Sequence, residues 1–139
     1  MKDDNSSDKT FKEIKNQNEL ILNKMGISEE LLERLQLGLK RYNHGVRVDD
    51  DTRTWGTQQN SWMEMAKEEL LDAIIYTIAD YIRSSRNSSC PCELHSRQDD
   101  DDNKLIISIL DNFDYIKSPE HKLMLCNLFK MLNSDLFNI

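Results

Sequence analysis

The chain has 139 residues, 38% of them hydrophobic, which is enough for one modest core and too little for two. Its formal net charge of −7 would repel polyanions at long range, so neither a nucleic-acid polymer nor an anionic membrane is the expected partner. No apolar run approaches the ~20 residues that span a bilayer. The opening MKDDNSSDKT lacks the apolar stretch of an export signal, and Cys90, Cys92 and Cys126 make an odd set, so reduced thiols in an intracellular, cytoplasmic setting are expected.

In chain order, residues 1 to 9 are polar after Met1 and are expected to be disordered. Thr10 and Glu13 have the spacing of a reciprocal N-cap, which starts a short first helix that Gly26 ends after Met25. Ser28 then caps a second helix. Glu29 and Glu30 sit on its positive end, Leu31, Leu32, Leu35, Leu37 and Leu39 give it an apolar stripe, and it stops near Asn43 to Gly45.

From Gly45 to Asn60 the run GVRVDDDTRTWGTQQN has no helical period and reads as a long charged loop. Loops of that length inside a small domain usually have a job, and a surface loop anchored by Trp55 is the plainer alternative. Ser61 and Glu64 repeat the capping spacing, and Leu70, Ile74, Ile78 and Tyr81 recur at helical intervals through WMEMAKEELLDAIIYTIADYIR.

Residues 84 to 103 are rich in serine and aspartate and read as a mobile linker, with 87–103 as its polar and acidic centre. Two amphipathic helices follow, Lys104 to Tyr115 and Glu120 to Leu132, the second capped by Ser118 with Pro119 at its first position. The fold class is therefore all-α, a small bundle of four to five helices. Residues 10–86 form its core, and 104–139 form a C-terminal hairpin that completes the bundle or makes an oligomer contact.

Five acidic residues, Glu64, Glu68, Glu69, Asp72 and Asp80, occur from Glu64 through Asp80. At ~100° per residue Glu64, Glu68 and Asp72 form one ridge, with Glu69 beside Asp72 near the border of the apolar arc made by Leu70, Leu71, Ile74, Ile75 and Ile78. Carboxylates a turn apart repel, and a cluster facing a cleft needs a cation, hydrogen bonds or protonation. Mg²⁺ suits such a site because it takes hard oxygens, keeps several waters and bridges carboxylates to phosphates. A solvated helix face, with Lys67 pairing to Glu64, is the plain reading of the same pattern.

EELLDAIIYTIADYIR resembles the helix signature of the MazG-like nucleoside triphosphate pyrophosphohydrolases, Glu-Glu-x-x-Asp followed by an apolar helix with an aromatic; the matching positions are Glu68, Glu69, Asp72 and Tyr76. The preceding LLERLQLGLKRYNHGVRVDDDTRTWGT is similar to short phage-type and bacterial members, so the resemblance covers roughly residues 28 to 86. It implies an all-α protein, commonly a dimer or tetramer, that hydrolyses (deoxy)nucleoside triphosphates to monophosphate and pyrophosphate with Mg²⁺, or Mn²⁺ in its place. It also implies Glu69 and Asp72 as a metal-ligand pair. The family's second pair falls on Glu64 and Glu68 or on Glu30 and Glu33, with the first choice preferred.

A metal-polarised water would attack phosphorus, with Glu68, Glu69 or Asp72 orienting it. Lys40, Arg41, His44, Arg47 and Arg53 are the candidate phosphate contacts, or else solvated surface groups. Trp55, Trp62 and Tyr76 could stack on a base or pack in the core. The rival function is a non-catalytic helical interaction module with a degenerate metal site.

Other signals carry less. Cys90-Pro-Cys92 with His95 and Cys126 is a poor zinc pattern. Asp99 to Asp102 lacks the glycine and spaced ligands of a calcium loop. Asp49 to Asp51 either approach the metal or pair with Arg47 and Arg53. Neither a phosphate-cradling glycine loop nor a Gly-x-Ser-x-Gly elbow occurs.

Overall fold

The computed structural model describes residues 26–87 and 100–137. The expected first helix (10–25), the polar N-terminus, and Cys90, Cys92 and His95 lie outside the described residues. Within them the protein is all-helical: α1 (Ile27–Tyr42), α2 (Trp62–Asn87), α3 (Asn103–Asp111) and α4 (Pro119–Leu132), with 3₁₀ turns at Thr52–Trp55 before α2, Phe113–Tyr115 between α3 and α4, and Asp135–Phe137 after α4. The chain divides into two compact units, 1–50 and 51–139.

In the first unit α1 begins at Gly26, whose φ of 66° is a left-handed conformation that costs glycine little. No side chain caps the helix there, so Ser28, expected at the cap, lies inside the first turn instead. The C-terminus follows expectation, with Asn43 left-handed at φ 62° and Lys40 and Arg41 on the negative end of the helix dipole. None of the five leucines of the stripe is buried.

The second unit is built on α2. Ile74, Ile78, Tyr81 and Ile82 form its buried stripe, and Ile109 of α3, Ile116, and Leu125 and Leu128 of α4 close over it. Ile78, Ile109 and Leu125 are fully inaccessible. The expected apolar arc is wider than the one that packs: Leu71 and Ile75 are exposed, and Thr77 takes a place inside, its hydroxyl donating to the Ala73 carbonyl at 2.7 Å. That bond lets a hydroxyl sit in the core without a lost partner.

The end of α2 and the start of α3 depart from the linker reading. Ser84 to Asn87 are helical, and Asp102 at the head of α3 receives the Arg86 guanidinium at 2.8 Å. Asp102 pushes the Arg86 guanidinium further up from its ordinary value through that hydrogen bond.

The helix expected over Lys104 to Tyr115 breaks at Asn112. There the backbone turns extended and the Asn112 side chain accepts the Asp114 N–H, opening a 3₁₀ turn. The reason for the break is visible across the core: the Tyr81 hydroxyl donates to the Tyr115 carbonyl at 2.7 Å and accepts the Lys117 N–H at 3.0 Å. Ser118 caps α4 as the sequence implied, its Oγ accepting the His121 N–H. Phe137, in a turn that the periodicity did not reveal, is buried and packs on α2.

Candidate functional site: an acidic helix face and an adjoining groove

Threonines hold the loop ahead of α2 together, and Trp55 is 41% exposed. Thr52 is fully buried; its Oγ1 lies 2.9 Å from Thr57 Oγ1, donates to the Gln59 carbonyl and accepts the Ser61 N–H at 2.7 Å. The Thr52 N–H goes to the Asn60 side chain. Asp51 caps the 3₁₀ turn and takes the Arg53 guanidinium in a fork, so the pairing reading of the aspartate run describes Asp51. Arg53 thereby lowers the Asp51 carboxyl from its ordinary value and is itself raised.

This loop also engages Glu64. The Ser61 hydroxyl accepts the Glu64 N–H, which is half of the expected box, but the Glu64 carboxylate does not return to Ser61. Its two oxygens accept the N–H groups of Gln58 and Gln59, both at 2.9 Å. Of the four expected metal ligands, then, Glu64 has a structural use as the clamp between loop and helix.

Glu68, Glu69 and Asp72 are exposed on α2, and none has a hydrogen bond or ion pair with a described residue. Glu69 and Asp72 are three residues apart, which puts their Cβ atoms about 5–6 Å from one another. The groove between α2 and α4 begins at Ala73, next to Asp72 and one turn after Glu69. Glu30 and Glu33 are exposed on α1, in the other unit.

Among the described residues no group of three or more His, Cys, Asp and Glu is arranged to hold a metal ion. A Mg²⁺ ion needs no such cage when two carboxylates, waters and substrate phosphates complete its shell, and two free, adjacent carboxylates of hard oxygen fit that donor set.

The expected phosphate contacts in the first unit are Lys40 and Arg41, exposed in the last turn of α1, His44, whose Nδ1 is 2.7 Å from the Gly45 carbonyl, and Arg47, exposed. Arg53 is committed to Asp51. Trp55, Trp62 and Tyr76 are all outside the core, Tyr76 at 67% exposure.

The groove runs along the seam of α2 and α4. It has a volume of about 460 Å³ and is lined by Ala73, Tyr76, Thr77 and Asp80 from one helix and by Glu120, His121 and Met124 from the other. A hydrogen-bonded chain crosses one end of it. His121 Nε2 lies 2.7 Å from Asp80 Oδ2, His121 Nδ1 lies 2.6 Å from Ser118 Oγ, and Ser118 Oγ lies 3.2 Å from Glu120 Oε2. The Tyr81 ring meets the imidazole edge-on at 5.6 Å.

This chain escaped the sequence reading. Asp80 stood only as one more acid on α2 and Ser118 only as a cap, and nothing local joins Asp80 to a histidine 41 residues away. The one available signal was His121 at the third position after Ser118, where an imidazole can reach back to the capping hydroxyl.

No helix among the described residues is long and apolar enough to cross a membrane. No family model matches the chain, and no curated protein or solved structure matches it.

Proposed function

We propose that the protein hydrolyses (deoxy)nucleoside triphosphates to monophosphate and pyrophosphate with Mg²⁺. The observation that carries this reading is the trio Glu68, Glu69 and Asp72, exposed and unengaged on the longest helix, at the spacing by which the chain resembles the MazG-like enzymes. Glu69 and Asp72 would hold the ion, and the ion supplies polarisation of water and charge neutralisation on the triphosphate. Glu68, one position away, accepts a proton from the attacking water or orients it.

The clamp from Glu64 to Gln58 and Gln59 fixes the first turn of α2, one turn ahead of the trio. Leu71 and Ile75, exposed on either side of Asp72 in sequence, suit the homo-oligomer that the resemblance implies, since a second copy laid there would exclude water from the carboxylates. The second reading, a non-catalytic helical module, is favoured by the structural use of Glu64.

The test is pyrophosphate release from a panel of ribo- and deoxynucleoside triphosphates, with Mg²⁺ and with excess chelator. Chelator-sensitive release of pyrophosphate and monophosphate is expected, with Asp72→Asn lowering kcat at least about 100-fold in a folded protein. Silence across the panel from folded wild type would leave the non-catalytic module standing.

A further inference from the structure

The carboxylate trio does not line the groove, but the line along α2 that starts at Glu69 runs into it. Glu69, Ala73, Tyr76 and Asp80 recur at intervals of four, three and four, so they follow one line along α2, with Asp72 beside it. At 1.5 Å per residue, Asp72 and Asp80 are about 12 Å apart along the helix axis, on the scale of a nucleotide from its phosphates to the far edge of its base.

The groove has the walls of an aromatic subsite. Tyr76 and Met124, both at least half exposed, stand on opposite helices with Ala73 and Thr77 between them. A planar ring entering there gains a stacking face from tyrosine and a polarisable thioether from methionine. The groove volume of about 460 Å³ lies within the ordinary range for small-molecule sites.

The end crossed by the hydrogen-bonded chain is rich in acceptors. Asp80 spends Oδ2 on His121 and leaves Oδ1 without a partner among the described residues; Glu120 meets Ser118 through Oε2 and leaves Oε1. Ionised carboxylates only accept. Guanine alone among the common bases presents two adjacent donors, the ring N1–H and the exocyclic amine, on its pairing edge. Adenine and cytosine set a ring acceptor beside their amine, and uracil and thymine flank their single N–H with carbonyls, so each would turn lone pairs toward a carboxylate.

We propose that this groove is the base subsite, and that it selects guanine: Tyr76 and Met124 hold the ring, and Asp80 with Glu120 accepts its paired N–H donors. His121, tied to Asp80 and Ser118, is the positioning residue that fixes the Asp80 carboxylate. This inference rests on the triphosphate-hydrolase reading for its substrate, although the groove can be tested apart from it.

Guanosine, which has no phosphate, is titrated into metal-free protein while the ring signals of Tyr76 and His121 are followed by NMR, with adenosine as the comparison. Saturable shifts of both rings with guanosine are expected, at least about tenfold weaker with adenosine and lost in Asp80→Asn. Asp80 is 69% exposed, so the variant should fold, and Glu120→Gln provides a second substitution of the same kind.

In parallel, the ratio of kcat/KM for GTP over ATP should exceed about ten in wild type and collapse toward one in Asp80→Asn. No shift with guanosine, or equal shifts with adenosine, would overturn the subsite. Guanosine binding without hydrolysis of any triphosphate would uphold the groove while removing the hydrolase. Hydrolysis indifferent to base and to Asp80 would do the reverse.

Discussion

Thr52 ties the loop together through one buried hydroxyl. Its hydroxyl is fully buried yet meets the Thr57 hydroxyl, the Gln59 carbonyl and the Ser61 N–H, so a valine of the same shape would leave those groups without it. Thr52→Val should therefore lower stability by about 1–3 kcal/mol, read as a lower urea midpoint at constant slope.

Asp51 acts by charge. Its carboxyl is lowered in the folded chain by Arg53, so the pair stabilises above the unfolded-state value and that contribution disappears as pH falls through the folded one. Because the pair is open to solvent its weight is small, and the direct check is an NMR titration in which the Asp51 carboxyl midpoint falls below 3.8 and moves part of the way back toward it in Arg53→Gln, whose backbone N–H still donates to Asp51. At this scale the sequence was partly readable. Asp51 with Arg53 was an available local pairing, but a threonine in a loop announces nothing about burial, which depends on where Gln59 and Ser61 are carried by the turn.

Among the elements, α2 was the most legible, since Ile74, Ile78 and Tyr81 at helical spacing did become its core stripe. What the periodicity could not give was the width of that stripe. Leu71 and Ile75 belong to the same apolar arc and stay exposed, because α3 and α4 cover only one side of the helix. The carboxylates could be placed on α2 by counting, whereas the groove beside them requires α4, whose docking is a tertiary event.

The division of residues 103–115 into α3 and a 3₁₀ turn is another such event, enforced by the Tyr81 hydroxyl at Tyr115 and Lys117. Tyr81→Phe keeps the ring and removes both hydrogen bonds. It should cost about 1–3 kcal/mol and speed amide exchange at Lys117 more than at residues of the α2 interior.

At the scale of the molecule, every buried side chain among the described residues belongs to the unit 51–139. A fragment of those residues should accordingly unfold in one cooperative step, and Ile78→Ala within it should cost about 2–5 kcal/mol, measured by chemical denaturation against the unmutated fragment. Loss of a cooperative transition in the fragment would show that the core depends on 1–50. The all-α class was legible from composition and period, yet the unequal sharing of burial was not. α1 also carries an apolar stripe, yet none of its leucines is buried, whereas the stripe of α2 is closed over by later helices.

That arrangement has a consequence for the order in which the protein is made. The residues that cover α2, from Ile109 through Leu125 to Phe137, all follow it in the chain. At roughly 5–20 residues per second of synthesis, the apolar side of α2 leaves the ribosome seconds before its cover exists. The nascent chain must pass that interval with Ile74, Ile78 and Ile82 unsheltered, and premature termination anywhere before α4 would release them in that state. Quality control of this protein therefore bears on α4, and a ribosome stalled between α3 and α4 should present a chaperone-binding segment centred on Ile78.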